Sequence, residues 1–247
     1  MIYQTFAQLY DELFDPEMYD NWRRLVETEV PEGSQMLDLA GGTGRLAVLL
    51  AQQGYQVTDA DFSPEMLTLA DQHRQVAGVD IKLIETDMRK LEGLPVYDAV
   101  TCFADSLCYL PNLEAVEATF RAVKAHLKPG GKFLFDVITP YQTDEVYPGY
   151  TYNFEAEDHS KAFLWTTYAD EEVPHGVIHD LAFFIQNADQ TYNRVGETHF
   201  ERAYELETLK QALVNTGFKD DLIKVKADFG RKKVQPNTTR WFWFVTN

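Results

Sequence analysis

The sequence predicts an α/β fold, a doubly wound parallel sheet carrying an antiparallel β insertion. Three observations predict it. Apolar strand patterns alternate with amphipathic helix patterns over residues 35–138. A glycine-rich turn, LDLAGGTGRLA at 37–47, joins the first strand to a helix. After Thr139-Pro140 the pattern changes to aromatic and β-branched runs broken by turn residues.

Taken in order, residues 17–30 read as a helix, with Trp22, Leu25, Val26 and Val30 at helical spacing. Strands are expected at 35–40, 55–60, 81–85, 96–102 and 132–138, and helices at 44–53, 64–76 and 112–127. Ser63-Pro64 supplies an N-cap and an N1 proline, and Glu65 puts an acid in the first turn, where the helix dipole favours it. The segment LKPGGKFLF reads as a helix end, a Pro-Gly-Gly turn and the fifth strand. Between 150 and 204 the runs are broken at Pro174-His175-Gly176 and Asn187-Ala188-Asp189, an antiparallel signature. Residues 205–216 return to a helix with Gly217 at its C′ position, and strands follow near 222–228 and 240–246. The chain therefore divides into a main body, 1–144 with 205–247, and an insertion, 145–204.

The 247 residues carry 22 Lys and Arg against 39 Asp and Glu, a formal net charge of −17. That balance disfavours nucleic acid, whose phosphates are bound by clustered cations. Arg231, Lys232 and Lys233 form the one tight basic cluster and read as a solvated loop. Cys102 and Cys108 have no metal-ligand or C-x-x-C spacing, and no His/Cys cluster has zinc spacing, so no metal site is expected. The two cysteines fit a reducing, cytoplasmic setting. The N-terminal MIYQTFAQLYDELF lacks a basic n-region, and no apolar run approaches the ~20 residues of a membrane helix. A homodimer is compatible with the sequence, and nothing in the residues selects it.

Gly41, Gly42 and Gly44 allow a tight turn, and the helix start after them offers N–H groups to a polar ligand. Gly42, Gly44 and Ala47 fit G-x-G-x-x-G/A, and the absence of G-K-[ST] argues against a P-loop. Asp61, 19 positions after Gly42, stands where an acid accepts the hydroxyls of a ribose. Asp59 competes for that role but reads as still within the strand, as an edge or solvent-facing acid. Asp87 can accept from an adenine amino group while Met88 packs on the ring. The fourth strand emerges at Phe103-Ala104.

With these motifs in place the chain resembles the class I S-adenosylmethionine-dependent methyltransferases. The order LDLAGGTG, DFSPEML, ETDM, YDAVTCF, LKPGGKFLF matches the successive motifs of that family over most of 35–138. The resemblance implies a Rossmann-like, seven-stranded sheet and S-adenosyl-L-methionine as cofactor. It implies that Asp38 braces the loop and that Ala40, Gly42 and Gly44 line the methionine end. It further implies that Asp61 takes the ribose hydroxyls, Phe62 and Met88 sandwich adenine, and Asp87 takes its amino group. Phe103, at the end of the fourth strand, is counted with the cofactor-binding residues, and Tyr10 resembles an N-terminal tyrosine that covers the cofactor. Ala40 departs from the family's glycine.

Methyl transfer needs alignment and water exclusion, and a base only if the acceptor must lose a proton. Asp105, Ser106 and Tyr109 follow the fourth strand toward the reacting methyl, with Asp105 a candidate base. The segment lacks the [DN]-P-P-[YF] form of many base and amide N-methyltransferases. In the insertion, Glu197, His199 and Glu201 alternate and so share one strand face. His199 is a second candidate base or a structural hydrogen-bonding group. Trp165, Tyr168 and His179 are open to the same two readings; the Tyr and Trp there line an acceptor pocket or form a lid core, with Tyr109, Trp165 and His199 as candidate wall residues. The expected function is methyl transfer to a small acceptor, neutral or cationic, with the insertion covering the site. An NAD-dependent oxidoreductase and a non-catalytic cofactor-binding partner subunit are the alternatives.

Overall fold

The computed structural model of the protein describes Asp11 and residues 16–247; Tyr10 lies outside the described residues. In chain order the elements are α1 (Pro16–Glu29), β1 (Gln35–Leu39), α2 (Arg45–Gln52), β2 (Gln56–Asp61), α3 (Pro64–Ala77), β3 (Lys82–Glu85), β4 (Tyr97–Cys102), α4 (Leu113–Ala125) and β5 (Leu127–Ile138). The insertion contributes β6 (Thr151–Glu155), β7 (Lys161–Asp170), β8 (Gly176–Gln186) and β9 (Tyr192–Arg202). The chain then closes with α5 (Leu206–Asn215), β10 (Ile223–Lys226) and β11 (Arg240–Thr246).

Seven strands form one sheet in the order β10-β11-β5-β4-β1-β2-β3. The pairs among β1 to β5 are parallel, and β11 is antiparallel to both β5 and β10. The order reverses between β1 and β4, so the crevice at their carboxyl ends is where a ligand can enter such a sheet. The helix starts follow the sequence signals. Ser63 Oγ accepts the N–H of Met66 at 3.2 Å, with Pro64 in the first turn, and Gly78 closes α3 in the left-handed conformation. Asn112 caps α4 by accepting the N–H of Ala115 at 2.9 Å.

β5 begins five residues earlier than its apolar run suggests. Tyr97 pairs with Leu127 and Ala99 with Lys132, so Pro129-Gly130-Gly131 is looped out within the strand instead of preceding it. The C-terminal residue holds this loop, since Gly130 N–H donates to Asn247 O at 2.9 Å and Asn247 N–H to Gly131 O at 2.9 Å.

Strand alternation sorts the core onto two faces. Leu37, Leu39, Val100, Phe133, Phe135 and Trp243 pack with α4 and α5. Met36, Val57, Ala99, Leu134 and Phe242 pack with Trp22 and Val26 of α1 and Leu46 and Leu50 of α2. On this second face the strands change character at their carboxyl ends: Asp38, Asp59, Asp61, Thr101 and Asp136 stand where apolar residues would continue the alternation, and all are buried. Asp59 lies within β2, as its position suggests, but it is not the edge or solvent-facing acid expected there: it is 0% exposed.

The insertion folds as a separate four-stranded antiparallel sheet, β6-β7-β8-β9. Its own apolar cluster is small: Phe163, Leu181 and Phe183, with Trp165 and Val195 against them. Val177, Ala203 and Tyr204 join the main core instead. Trp165 and Tyr168 are three residues apart on one strand and so face opposite ways. Tyr168 lies on the outer face, 49% exposed, which removes it from the candidate acceptor wall.

One buried carboxyl ties α1 to the sheet. Asp136 accepts the Trp22 Nε1–H at 2.8 Å, and the Trp22 ring stacks on Phe103. Trp22→Phe keeps the stacking and strands one carboxylate oxygen. Urea unfolding is expected to show a loss of about 1–3 kcal/mol, the cost of an unsatisfied buried acceptor.

Candidate active site

The glycine loop is shaped by what lies beneath it. Ala40 adopts φ +56°, a left-handed conformation that costs a Cβ-bearing residue about 1–2 kcal/mol. Its N–H donates to Ala60 O at 2.7 Å, which locks the loop onto β2. A side chain at Gly41 would land on Asp59 Oδ1 and stand 3.1 Å from Asp38 Oδ2. One at Gly44 would press on Ala70 at 2.8 Å and Asp59 Oδ2 at 2.9 Å. Gly42 faces open space, with no atom within 4 Å of where its Cβ would stand. The glycines thus differ: two make room for a buried acid, and Gly42, at φ +60°, borders open space.

Asp61 bridges the two ligand-facing turns. Its Oδ2 accepts the N–H of Gly42 at 2.9 Å and its Oδ1 the N–H of Ser63 at 2.9 Å. Each oxygen keeps a lone pair for a hydroxyl. Burial raises the Asp61 carboxyl above its ordinary range, and the N–H groups of Ser63, Gly42 and Phe62 pull it back. Phe62 follows at the rim, 74% exposed. An exposed ring, a bare glycine and an acid with spare acceptor capacity fit a nucleoside. Met88 packs partly against the core, and Asp87 is held by Arg89, which holds its carboxyl below the usual range. Phe103 is 5% exposed, and its ring stacks on Trp22.

Asp38 Oδ1 accepts from Thr101 Oγ1 at 2.7 Å, joining β1 to β4. Asp11, in the segment before α1, is gripped by three side chains at the loop. Thr43 Oγ1 donates to its Oδ1 at 2.5 Å, and Arg45 donates to both oxygens at 2.6 Å. His73 Nε2 stands 3.5 Å from its Oδ2. No local signal in the residues marks this clamp, which joins positions more than 30 residues apart.

After β4, Ala104 and Asp105 both take left-handed conformations, φ +57° and +56°, and start a short 3₁₀ turn at Ser106–Tyr109. The Asp105 N–H donates to Asp136 Oδ1 at 2.9 Å, and its carboxylate pairs with Arg240 of β11, which also reaches Asp136 at 3.0 Å. Asp105 is therefore engaged in holding the turn.

The turn presents Tyr109 to the insertion, where its ring meets His199 edge-on at 5.9 Å. His199 Nε2–H donates to Glu197 at 3.1 Å. The other acid, Glu201, faces a different histidine. His179 lies opposite His199 across β8 and β9, and its Nε2 is 3.7 Å from Glu201. Trp165 Nε1–H donates to His179 Nδ1 at 3.0 Å, so that nitrogen carries the lone pair and Nε2 the proton. Tyr147 closes the cluster edge-on to His179 at 4.9 Å. Alternation placed the β9 triad on one face, but the cross-strand pairing of His179 had no sequence signal. Among the described residues, no group of three or more His, Cys, Asp or Glu is arranged to hold a metal ion.

The exchange of volume between Gly41 and Asp59 can be tested by stability. Gly41→Ala drives a methyl into the Asp59 carboxyl and should cost about 1–3 kcal/mol, the usual penalty of overpacking. Adding Asp59→Gly to it should recover most of the loss in thermal unfolding.

The comparisons with known proteins agree with this geometry. Residues 36–131 match a family described as Methyltransferase domain. YqeM of Bacillus subtilis (strain 168), which carries the name of a methyltransferase, is 38% identical over 244 residues, covering 98% of this chain and 96% of that protein. An S-adenosylmethionine-dependent methyltransferase from Clostridium acetobutylicum ATCC 824 superposes with a TM-score of 0.84 at 27% identity, over 99% of this chain and 98% of that one. The amino pentose methyltransferase CalS10 of Micromonospora echinaspora shares the fold at 18% identity, with a TM-score of 0.72 over 97% of this chain and 95% of that one. The chain belongs to the class I S-adenosylmethionine-dependent methyltransferases.

Proposed function

We propose that this enzyme transfers a methyl group from S-adenosyl-L-methionine to a small acceptor, neutral or cationic, held between the end of β4 and the inner face of the β6–β9 sheet. One observation carries the reading: Tyr109 from the main body and His199 from the insertion meet face to edge across that junction. The division into a cofactor-binding body, 1–144 with 205–247, and a covering insertion, 145–204, follows from it.

The cofactor supplies an activated methyl on a positively charged sulfur. The chain's own residues supply position and dryness. Asp61 receives the ribose hydroxyls on its remaining lone pairs, and Ala40, Gly42 and Gly44 form the loop along the methionine end. Phe62 and Met88 flank adenine, and Asp87 accepts from its amino group while shared with Arg89. Tyr109 and Trp165 wall the acceptor. His199, oriented by Glu197, takes a proton from an acceptor that must lose one. Asp105 holds the turn that presents Tyr109 and is assigned that positioning role in place of proton abstraction, because its carboxylate is paired with Arg240.

The acidic surface supports a small acceptor over nucleic acid. The basic cluster at 231–233 adds to that reading, since Arg231 and Lys232 both pair with Asp228 at 2.7 and 3.0 Å.

Two measurements test the assignment. Asp61→Ala should weaken S-adenosylmethionine binding at least about tenfold, the loss of one charge-assisted hydrogen bond. Wild-type affinity in the variant would remove Asp61 from the ribose site. His199→Gln, assayed by S-adenosylhomocysteine release against a panel of small amines, phenols and carboxylates, should lower turnover on a proton-losing acceptor by about 10²-fold or more. Cofactor affinity should stay at the wild-type value; a parallel loss of binding would make His199 structural.

A further inference from the structure

We propose that Asp38 and Asp59 hold a single proton between them beneath the glycine loop, and that the cationic cofactor expels it on binding. The site would then separate S-adenosylmethionine from its demethylated product by charge. The inference rests on the cofactor assignment above and adds Asp59, which that assignment does not use.

The two acids are register partners on adjacent parallel strands, and both point to the α1/α2 face. Asp59 Oδ1 and Asp38 Oδ2 both border the space that a Gly41 side chain would fill, which makes the two carboxyls neighbours beneath the loop. Asp59 is 0% exposed, and neither of its oxygens has a hydrogen-bond partner among the described residues. Asp38 Oδ2 is buried and unpartnered in the same way, while its Oδ1 is satisfied by Thr101. Two buried carboxylates side by side cannot both ionise. One shared proton gives the unpartnered oxygens a donor and an acceptor at once.

Among the described residues, the surroundings supply no competing cation. Asp61, on the same strand, is taken up by the N–H groups of Gly42 and Ser63. β3 places Leu83 opposite Asp59, and β4 contributes Thr101 and the buried Cys102 thiol, which burial keeps protonated. Arg45 at the start of α2 is committed to Asp11. From α3, Ala70 packs under Gly44, and His73 Nδ1 bonds the Thr43 carbonyl. From α1, the Tyr19 phenol is held neutral, pushed up to about 12 by burial and by Asp11. Burial pushes Asp38 up to about 7 and Asp59 well above the carboxylate range, and the nearby Asp61 charge adds to both.

The sign follows from charge. S-adenosylmethionine carries a sulfonium and an ammonium against one carboxylate; its product has lost the sulfonium charge. A cation over the loop favours the ionised pair, so binding releases a proton and affinity rises with pH. The neutral product gives no such drive. When methyl transfer removes the sulfonium charge, the pair takes one proton back from solvent, and the next cofactor must displace it to solvent again.

Calorimetry with S-adenosylmethionine and S-adenosylhomocysteine, in two buffers of different ionisation enthalpy, reads the proton directly. A pH of about 6.5 lies well below the ordinary α-amino range, so the ligand amine does not contribute. Wild type is expected to release most of one proton with S-adenosylmethionine and almost none with the product. The ratio of the product's Kd to the cofactor's should rise by up to about tenfold per pH unit, the limit for one proton. In Asp59→Asn the amide supplies permanently the donor that the shared proton supplied, so release should vanish and the ratio should become flat. Asp59→Ser serves the same end if the amide variant does not fold. Equal proton release in the variants, or buffer-independent heats for wild type, would overturn the shared proton while leaving the cofactor assignment standing. Failure of wild type to bind S-adenosylmethionine at all would overturn both.

Discussion

Buried carboxyls at the carboxyl ends of the central strands are the constraint around which the rest of this molecule is arranged. Each must be compensated or neutralised, because a lone ionised acid in a protein interior is too unfavourable to persist. Asp61 is compensated by two backbone N–H groups, and these fix the glycine loop relative to the turn after β2. Asp136 is compensated by Trp22, the Asp105 N–H and Arg240, and these fix α1, the turn after β4 and β11. Removing either acid would release several segments at once, none of which is adjacent in the chain.

The same constraint accounts for the shape of the crevice. The helices and strands below are joined by ordinary apolar packing on both faces of the sheet. Only at the strand ends does one face turn polar. There the loops are held by directional bonds to acids, which give the site a fixed geometry before any ligand arrives. Preorganisation of this kind suits methyl transfer, where alignment of donor, methyl and acceptor supplies most of what a protein can add. The insertion follows a different logic. Its small apolar cluster cannot bury much surface, and its junction with the body is made by Val177, Ala203 and Tyr204 and by the polar aromatic contacts around Tyr109, Tyr147, His179 and His199.

Much of this was legible in the residues because the relevant signals are local. Strand–helix alternation, the Ser63-Pro64 cap and the spacing of Gly42 to Asp61 each depend on neighbours a few positions away or on a period fixed by backbone geometry. Alternation in β9 likewise placed Glu197, His199 and Glu201 on one face. The same period, applied to β7, puts Trp165 and Tyr168 on opposite faces from their spacing alone. The start of β5 was hidden because a bulge can absorb Pro129-Gly130-Gly131, and whether it does depends on the partner strand and on the Asn247 backbone.

Fold class, the order of motifs and the identity of the cofactor loop follow from the chain alone, since these are written in short-range pattern. Which acids are buried, and what each of them meets, is settled only in the packed molecule. Asp59 and Asp61 are two residues apart and chemically alike. Yet Asp61 accepts two N–H groups at the rim, while Asp59 lies beneath Gly41 with no hydrogen-bond partner among the described residues. Asp105 and Arg240 are far apart in the chain, and their pairing decides what the Asp105 carboxylate meets. Burial and ion pairing depend on contacts between distant segments, and such contacts leave no periodic trace in a single chain.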